Sequence, residues 1–252
     1  WPVKIYAHIV NHYLRQWDYT SSQRPDYFIA NSEETKKRIK KFYRRDADVI
    51  YPPVDIPPRV IQTPSTRGKN PETDDKFYIT LSRLTHAKHI DVLIQAANKS
   101  GFKLKIIGSG RDEAFLKSIA GPTVEFLSHI PDEQFETVFK NAKAFLFASV
   151  DEEFGIAPVE AMGYGVPVIA FASGGLKEIV QDGKNGYLYD ELTDRALIQT
   201  INKFEKLSKE QSESMRKEAR KSAEKYSFEV FKKKITSFIN LYSRPPALRQ
   251  HK

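Results

Sequence analysis

Two carboxylates flank a short apolar turn in the stretch DEEFGIAPVEAMGYG, which spans residues 151–165. Glu152 precedes the turn, and Glu160 follows Pro158, a residue suited to the first position of a helix because its missing N–H needs no partner there. An ionised carboxylate only accepts hydrogen bonds, so two such groups suit the paired hydroxyls of a ribose or a hexose. A helix-capping glutamate beside a surface acid would give the same spacing, and both interpretations stay open at this point.

A helix that begins at Pro158 would point the N–H groups of Gly155, Ile156 and Ala157 outward at the positive end of its dipole. Glu160 would then fall in the first helical turn, where the same dipole keeps a carboxylate ionised. The turn therefore predicts a site for an anion or for sugar oxygens.

Two cations follow a predicted strand in the stretch LSRLTHAKHIDVL, residues 81–93. Arg83 and Lys88 lie at the end of the strand where ligands bind in parallel sheets. A guanidinium and an ammonium group could neutralise a diphosphate without a metal ion, the first as a fork of N–H donors and the second as a point charge. For either residue alone, a solvated surface side chain is the simpler interpretation.

Other candidate motifs carry little signal. The stretch IIGSGRD, residues 106–112, contains only G-S-G and does not complete a dinucleotide-binding fingerprint. The acids of VDEEF, residues 150–154, are more typical of a solvated surface than of a cation site. His86, His89 and His129 lack the spacing of metal ligands, so we expect no metal site.

Short apolar runs rich in β-branched and aromatic residues alternate with segments of helical spacing from Phe77 onward. The predicted strands are 77–81, 102–108, 123–127, 142–148 and 166–171, and the predicted helices are 89–99, 110–120, 132–142 and 158–165. This alternation is typical of βαβ units and predicts an α/β fold with a doubly wound parallel sheet. Ligands of such sheets bind beyond the carboxyl ends of the strands, where the two cations and the acidic turn lie.

Composition limits the class of protein. The chain has 252 residues, 40% of them hydrophobic, which is enough for a full core. It has no cysteine, which excludes disulfides and thiolate metal sites and fits a reducing compartment, so we expect a cytoplasmic protein. The formal net charge of +8 suggests an anionic partner, although the lysines fall mostly in helical runs where solvated faces are the simpler explanation.

Five motifs occur in an order that is far more specific than any one of them: SRLTHAK, IIGSG, VEFLSHIPDEQFETVFKNAKAFLFAS, EEFGIAPVEAMGYGVPVIA and GGLKEIVQDGKNGYL. Together they resemble the C-terminal, donor-binding domain of family 4 glycosyltransferases, which are retaining enzymes of the GT-B fold. The resemblance covers about residues 76–225. It implies a Rossmann-like doubly wound sheet that binds a nucleotide-sugar.

The resemblance also assigns roles to the acids and the cations. The E-x7-E signature of the family falls on Glu152 and Glu160. It implies that Glu160 binds the ribose of the nucleotide and that Glu152 binds the donor sugar. The Arg/Lys pair that grips the diphosphate in the family matches Arg83 and Lys88.

Backbone groups complete the site that the resemblance implies. The turn formed by Phe154, Gly155 and Ile156 would offer N–H groups to sugar and phosphate. The backbone from Leu127 to Ile130 would contact the base.

The start of the chain is similar to a subgroup of O-antigen mannosyltransferases, on the stretches 4–18, 27–34 and 49–55. In that subgroup a histidine beside the transferred sugar follows the strand that the first stretch would form. His8 matches it, and His12 is an alternative because the spacing from His8 to the later Arg and Trp-Asp is longer than the subgroup has. The glycine-rich phosphate loop of the family has no counterpart in the sequence.

Four segments follow from the resemblance and from composition. Residues 1–50 would be the remnant of an N-terminal acceptor-side domain, 51–75 a proline-rich linker, 76–225 the nucleotide-sugar-binding domain, and 226–252 a crossing helix and tail. Within the first segment, residues 25–42 predict a strand and a helix capped by Asn31 or Ser32. The chain begins without Met, so we expect a truncated protein that binds its donor weakly and is inactive alone.

The resemblance implies metal-independent, retaining transfer of a hexose from a GDP- or UDP-linked donor to a glycan or lipid-linked acceptor, with mannose as the sugar that the subgroup suggests. The residues placed at the chemistry are His8, Arg83, Lys88 and Glu152. No cofactor and no nucleic-acid partner is expected, and a lipid-linked acceptor would bring the protein to the inner face of the membrane. Two alternatives from other classes are a non-catalytic nucleotide-sugar-binding module and a basic nucleic-acid-binding protein, and the order of the motifs disfavours the second.

Overall fold

The computed structural model of the chain describes residues 2–57, 76–127 and 130–243. It divides the chain into two compact units, Trp1–Tyr51 and Pro52–Lys252. Most of the predicted linker, from residue 58 to residue 75, lies outside the described residues.

The smaller unit consists of helix α1 (Pro2–Ser22), strand β1 (Ile29–Ala30), helix α2 (Glu33–Tyr43) and strand β2 (Asp48–Val49). The two strands pair in parallel. The predicted strand and helix of residues 25–42 are confirmed, and the cap of α2 is Ser32, whose side chain accepts a hydrogen bond from the Thr35 N–H at 3.0 Å. The acidic first turn of α2 fits the positive end of its dipole.

The first stretch of the chain is a helix, so the strand expected within residues 4–18 is wrong. Helix α1 runs through the whole stretch from Pro2 to Ser22. The physical reason lies in the local sequence: proline fits the first helical position, and no glycine or further proline interrupts the next turns.

The larger unit is built on a six-stranded parallel sheet with the strand order β5-β4-β3-β6-β7-β8. Its strands are β3 (Phe77–Leu81), β4 (Leu104–Ile107), β5 (Val124–Leu127), β6 (Ala142–Phe147), β7 (Val168–Phe171) and β8 (Gly186–Tyr189). The five predicted strands are confirmed. The sixth, β8, was not predicted because its four residues directly follow the turn residues DGKN and give too short an apolar run.

Helices connect the strands as the doubly wound architecture requires. They are α3 (Ile90–Ser100), α4 (Glu113–Ile119), α5 (Asp132–Asn141), α6 (Ile156–Gly163), α7 (Leu176–Ile179), α8 (Asp194–Glu205), α9 (Lys209–Ala223) and α10 (Phe228–Tyr242), with short 3₁₀ turns at His86–Lys88 and Glu224–Tyr226. The four predicted helices between strands are confirmed, with shifted ends. None of the helices among the described residues is long and apolar enough to cross a membrane.

The core of the larger unit lies on the sheet. Side chains from the middle of the strands, such as Ile79, Ile106, Leu146 and Ile169, are fully buried. A strand buried on both faces needs a nearly continuous apolar run, which explains why these strands could be recognised in the sequence.

The strand order places a switch point between β3 and β6. The chain leaves β3 towards β4 on one side of the sheet and leaves β6 towards β7 on the other side. The loops that follow β3 and β6 therefore diverge and leave a crevice at the carboxyl ends of these neighbouring strands, which is where open α/β sheets bind ligands.

The G-S-G stretch has a packing role at this same edge. A Cβ atom on Gly108, whose φ is +132°, would lie 2.0 Å from the carbonyl oxygen of Ser82 in the loop after β3. The Leu84 N–H donates to the Ser109 carbonyl at 2.9 Å. The glycine thus lets the loops after β3 and β4 lie against each other, which is one reason for a glycine pattern that does not complete a dinucleotide fingerprint.

Candidate functional site

Lys88 and Glu152 meet in the crevice between β3 and β6. Lys88 ends the 3₁₀ turn that follows β3, and its Nζ donates to Oε2 of Glu152 at 2.5 Å. The side chains of Lys88 and Glu152 are 26% and 24% exposed, so about a quarter of each stays accessible from solvent. The structure thus brings together two side chains to which the family resemblance gave separate roles, Lys88 at the diphosphate and Glu152 at the donor sugar.

A buried serine completes this cluster. The hydroxyl of Ser149 donates to Oε2 of Glu152 at 2.8 Å and accepts a hydrogen bond from Nζ of Lys88 at 3.3 Å. Ser149 follows β6 closely and is 2% exposed. Sequence reasoning missed it, and its only signal is a hydroxyl at the carboxyl end of a buried strand.

The backbone of Glu152 is held by the loop after β7. The Gly175 N–H donates to the Glu152 carbonyl at 2.8 Å, and the Asp151 N–H donates to the hydroxyl of Ser173 at 2.9 Å. A Cβ atom on Gly174, whose φ is +54°, would lie 2.1 Å from the Glu152 carbonyl oxygen. The close approach of the two loops therefore depends on glycine and fixes where the Glu152 side chain starts.

The turn into α6 differs from the prediction. Gly155, with a φ of +106°, is the N-cap, and Ile156 is the first helical residue, so Pro158 is the third helical residue rather than the first. A backbone conformation open to glycine starts the helix before the proline. The missing N–H of Pro158 still causes no loss, because the first four N–H groups of a helix have no partner within it.

The N-terminus of α6 keeps the N–H groups expected of it. The groups of Ile156 and Ala157 belong to the first turn, where no helical carbonyl reaches them. Phe154 is buried and packs edge-on against Tyr226, with ring centroids 5.1 Å apart, whereas the Ile156 side chain is exposed. The Phe154 ring thus anchors the turn to Tyr226, whereas the side chain of Ile156 is exposed to solvent.

Glu160 lies in the second turn of α6, not in the first. Burial raises the pKa of its carboxyl, and the carboxylate of Asp55 raises it further. The first-turn position on which the expectation of a dipole-stabilised carboxylate rested is therefore wrong, and desolvation and a like charge raise the pKa of Glu160 instead.

Asp55 lies in the predicted linker and at the end of the stretch 49–55, and it was not predicted as a site residue. The Val54 N–H donates to the Tyr226 carbonyl at 2.8 Å, and Nη2 of Arg220 donates to the Pro57 carbonyl at 2.5 Å. A Cβ atom on Gly163, in the last turn of α6, would lie 3.3 Å from the Pro57 ring. Residues 54–57 therefore pack against α6. This packing brings Asp55 close enough to Glu160 for its negative charge to raise the pKa of the Glu160 carboxyl.

The remaining predicted residues have these positions. Arg83 follows β3 directly, and its side chain is exposed. Leu127 ends β5 and is half-buried, and Ile130 is buried, whereas residues 128–129 between them lie outside the described residues. His8 lies on α1 of the smaller unit with an exposed side chain.

The alternative histidine, His12, lies on the same helix. Its Nε2 is 3.1 Å from Nε2 of Gln16. Across the three described ranges, no three or more His, Cys, Asp or Glu residues are grouped so that they could hold a metal ion.

The family model for "Glycosyl transferases group 1" matches residues 62–222, more than half of the chain. The chain belongs to this family. Its larger unit has the Rossmann-like architecture predicted above, and solved structures confirm the GT-B fold class.

Two solved structures illustrate the fold. One is the pneumococcal O-GlcNAc transferase GtfA in complex with UDP and GlcNAc, with a TM-score of 0.70 and 22% identity over 91% of this chain and 47% of that one. The other is Anabaena HepE in complex with UDP and glucose, with a TM-score of 0.72 and 21% identity over 87% of this chain and 64% of that one.

Sequence relatives are longer than this chain. The GtfA subunit of Streptococcus pneumoniae serotype 4, a UDP-N-acetylglucosamine-peptide N-acetylglucosaminyltransferase, is 27% identical over 188 residues, which are 71% of this chain and 37% of the relative. The D-inositol 3-phosphate glycosyltransferase of Mycolicibacterium smegmatis is 31% identical over 184 residues, which are 66% of this chain and 42% of the relative. The chain thus spans about two fifths of the length of these relatives.

Proposed function

We propose that this chain carries the donor site of a retaining glycosyltransferase, which transfers a hexose from a nucleoside diphosphate sugar to a glycan or lipid-linked acceptor. The observation that carries the proposal is the meeting of Lys88 and Glu152 at the switch point of the sheet, beside the N-terminus of α6. A cation, a carboxylate and free N–H groups at one crevice suit a ligand with both phosphates and hydroxyls.

The diphosphate is assigned to Lys88, Arg83 and the N–H groups of Ile156 and Ala157. Departure of a nucleoside diphosphate builds negative charge on its phosphate oxygens, and these groups supply positive charge and donors where that charge develops. Protein cations alone can serve this purpose, so the proposed transfer needs no metal ion.

The hydroxyls of the donor are assigned to the two acids. Among the described residues, both hydrogen bonds to the Glu152 side chain use Oε2, which leaves Oε1 to accept from the sugar. Glu160, further along α6, is assigned to the ribose. The backbone at Leu127 and Ile130 is assigned to the base.

Crystallised family neighbours support this choice of ligand class. GtfA was solved with UDP and GlcNAc, and HepE with UDP and glucose. For this chain we propose a uridine or guanosine diphosphate donor, with mannose as the first sugar to test, and a family 4 enzyme of the O-antigen mannosyltransferase subgroup. A lipid-linked acceptor would place the enzyme at the cytoplasmic face of a membrane.

Calorimetric titration with UDP, GDP, ADP, UDP-glucose and GDP-mannose, in EDTA, tests the donor site. We expect one nucleotide to bind and both Arg83→Ala and Glu160→Ala to weaken it by about tenfold. Arg195→Ala, which removes an exposed arginine on α8, is the charge-matched control and should leave affinity unchanged. Binding that survives both site substitutions would count against the assignment.

A transfer assay tests the assignment of the histidine. In a protein that binds donor and transfers sugar, His8→Ala should lower the turnover while the affinity for the nucleotide stays the same. The same change at His12 is the matched comparison, and the reverse outcome would move the assignment to His12. Donor binding without transfer would favour a non-catalytic module.

A further inference from the structure

Ser149 is the only residue of the described cluster whose side chain is closed to ligands. It is 2% exposed, whereas about a quarter of each of the Lys88 and Glu152 side chains reaches solvent. A serine hydroxyl has one hydrogen to donate, and here that hydrogen points to Oε2 of Glu152 at 2.8 Å. Ser149 therefore reaches a ligand only through its two partners: Glu152, to which it donates, and Lys88, whose Nζ donates to the hydroxyl at the longer distance of 3.3 Å and leaves it on turning to a ligand.

A diphosphate at this crevice would compete with Glu152 for Lys88. Oε2 of Glu152 accepts hydrogen bonds from both Lys88 and Ser149. Phosphate oxygens compete for the Lys88 ammonium, since each oxygen offers it a charged acceptor. The bond from Ser149 has no such competitor, because burial keeps it from the ligand.

We propose that Ser149 is a positioning residue, which keeps the Glu152 carboxylate in the orientation that receives the donor sugar while Lys88 turns to the diphosphate. Without the hydroxyl, the carboxylate follows the ammonium group or rotates into solvent, and Oε1 no longer faces the sugar. This inference rests on the proposed function. Its distinguishing consequence is that Ser149 affects binding of the sugar and not of the nucleoside diphosphate.

Two other buried serines of the larger unit use their hydroxyls in structural contacts. The hydroxyl of Ser222, 7% exposed, accepts from Nδ2 of Asn185 at 3.0 Å, and that of Ser173 accepts from the Asp151 N–H. Each stabilises a loop or a helix contact. Of these three buried serines, Ser149 is the one that donates to a partly exposed carboxylate, which makes Ser222→Ala the matched control for loss of a buried hydroxyl.

The test compares paired ligands in the full chain: UDP with UDP-glucose, and GDP with GDP-mannose. For the nucleotide that binds, Ser149→Ala should weaken the nucleotide-sugar by roughly fivefold to tenfold and the free diphosphate by less than about twofold. Ser149→Thr, which keeps a hydroxyl, should restore the wild-type ratio. Ser222→Ala should leave that ratio unchanged at a similar loss of thermal stability.

A double-substitution cycle separates the inference from the proposed function. If Ser149 acts through Glu152, then Ser149→Ala has no further effect on the ratio in a Glu152→Ala background, which removes the acceptor of the Ser149 hydrogen bond. Equal weakening of both ligands by Ser149→Ala, or a full effect in the Glu152→Ala background, overturns the positioning role. If Glu152→Ala lowers the ratio and Ser149→Ala does not, the proposed function stands and the inference fails; if no nucleotide binds at all, both fail.

Discussion

The surroundings of Glu152 and Glu160 differ although both acids lie beside the same turn. The carboxylate of Glu152 is matched by the Lys88 ammonium and the Ser149 hydroxyl. The carboxyl of Glu160 is partly buried near Asp55, and burial and this like charge raise its pKa. One acid is stabilised by the protein in the absence of ligand, whereas the other carries an unfavourable environment.

The two acids would therefore interact with a ligand in different ways. A ligand that draws Lys88 away from Glu152 must compete with an existing ion pair, which favours ligands that carry strong negative charge. A ligand hydroxyl that donates to Glu160 replaces no ion pair or hydrogen bond described for that side chain, and it offsets part of the cost of burying the charge. Under the proposed function, the surroundings of Glu152 would favour ligands with strong negative charge, and those of Glu160 would favour ligands with hydroxyls.

The largest effect should come from disrupting the contact between the Glu152 backbone and the loop after β7. Gly174→Ala places a Cβ atom 2.1 Å from the Glu152 carbonyl at a φ of +54°. We expect a loss of about 3 kcal/mol of unfolding free energy, because both the clash and the left-handed conformation disfavour a side chain. Urea unfolding measures it. Gly183→Ala is the matched control, since φ there is +74° with nothing within 4 Å of the new atom, and it should cost only about 1 kcal/mol.

Removing the cation of the pair should have the next largest effect. Lys88→Met leaves the carboxylate of Glu152, only 24% exposed, without its charged partner. We expect a loss of about 1–2 kcal/mol of unfolding free energy and at least about tenfold weaker nucleotide binding. Lys40→Met removes a cation that is 62% exposed from a pair with Asp46, which is itself 87% exposed, and it should cost less than about 0.5 kcal/mol. Equal losses from the two variants would show that Lys88 is an ordinary surface lysine.

The opposite sign is expected for Glu160. A carboxyl with a raised pKa favours the folded state fully below its unfolded pKa, and that contribution is lost as the pH rises through its folded pKa. Glu160→Gln should therefore increase the unfolding free energy at pH 7, by no more than about 0.5 kcal/mol because solvent screens this half-buried carboxyl, and the gain should vanish near pH 4. Urea unfolding at the two pH values measures this, and Glu152→Gln should instead lower stability at pH 7. A loss of stability in both variants would erase the contrast between the two acids.

The smallest effect concerns the pH at which nucleotide binding weakens. A protonated carboxyl accepts hydroxyl hydrogen bonds poorly, so affinity should fall as the pH drops through the raised pKa of Glu160. Asp55→Asn removes the like charge and should move this fall to lower pH. Asp190→Asn, an exposed acid at the end of β8, is the control in the same titration. An unchanged profile in Asp55→Asn would mean that burial alone sets the protonation of Glu160.

The strands of the sheet could be predicted from the sequence. Few of the contacts at the carboxyl ends of those strands could be. Buried parallel strands such as β4 and β6 are continuous apolar runs, which makes them recognisable without any tertiary information. The start of α6 was missed because it is set by the left-handed backbone of Gly155, which the proline signal obscured. The strand expected within residues 4–18 was inferred from a resemblance. The local sequence, which lacks helix breakers after Pro2, favoured the helix that the structure shows.

The site was predicted as separate residues but not as a cluster. Lys88 and Glu152 were each recognised by their position after a strand, yet their pairing depends on β3 and β6 being neighbours, which the sequence does not state. Ser149 carried no signal because it adjoins an apolar run. Asp55 acts on Glu160 through the packing of residues 54–57 against α6, a tertiary contact that no local pattern encodes.

The ion pair between Lys88 and Glu152 also has a kinetic meaning. The two residues are separated by 64 positions, and β6, which precedes Glu152, must dock beside β3 before they can meet. Contacts between distant parts of a chain form late when closing the intervening loop is costly. A ligand that bridges Lys88 and the turn at Gly155 should therefore slow unfolding and leave the folding rate nearly unchanged, as stopped-flow rates with and without nucleotide would show. By this argument such a ligand would lengthen the lifetime of the assembled larger unit rather than guide its assembly.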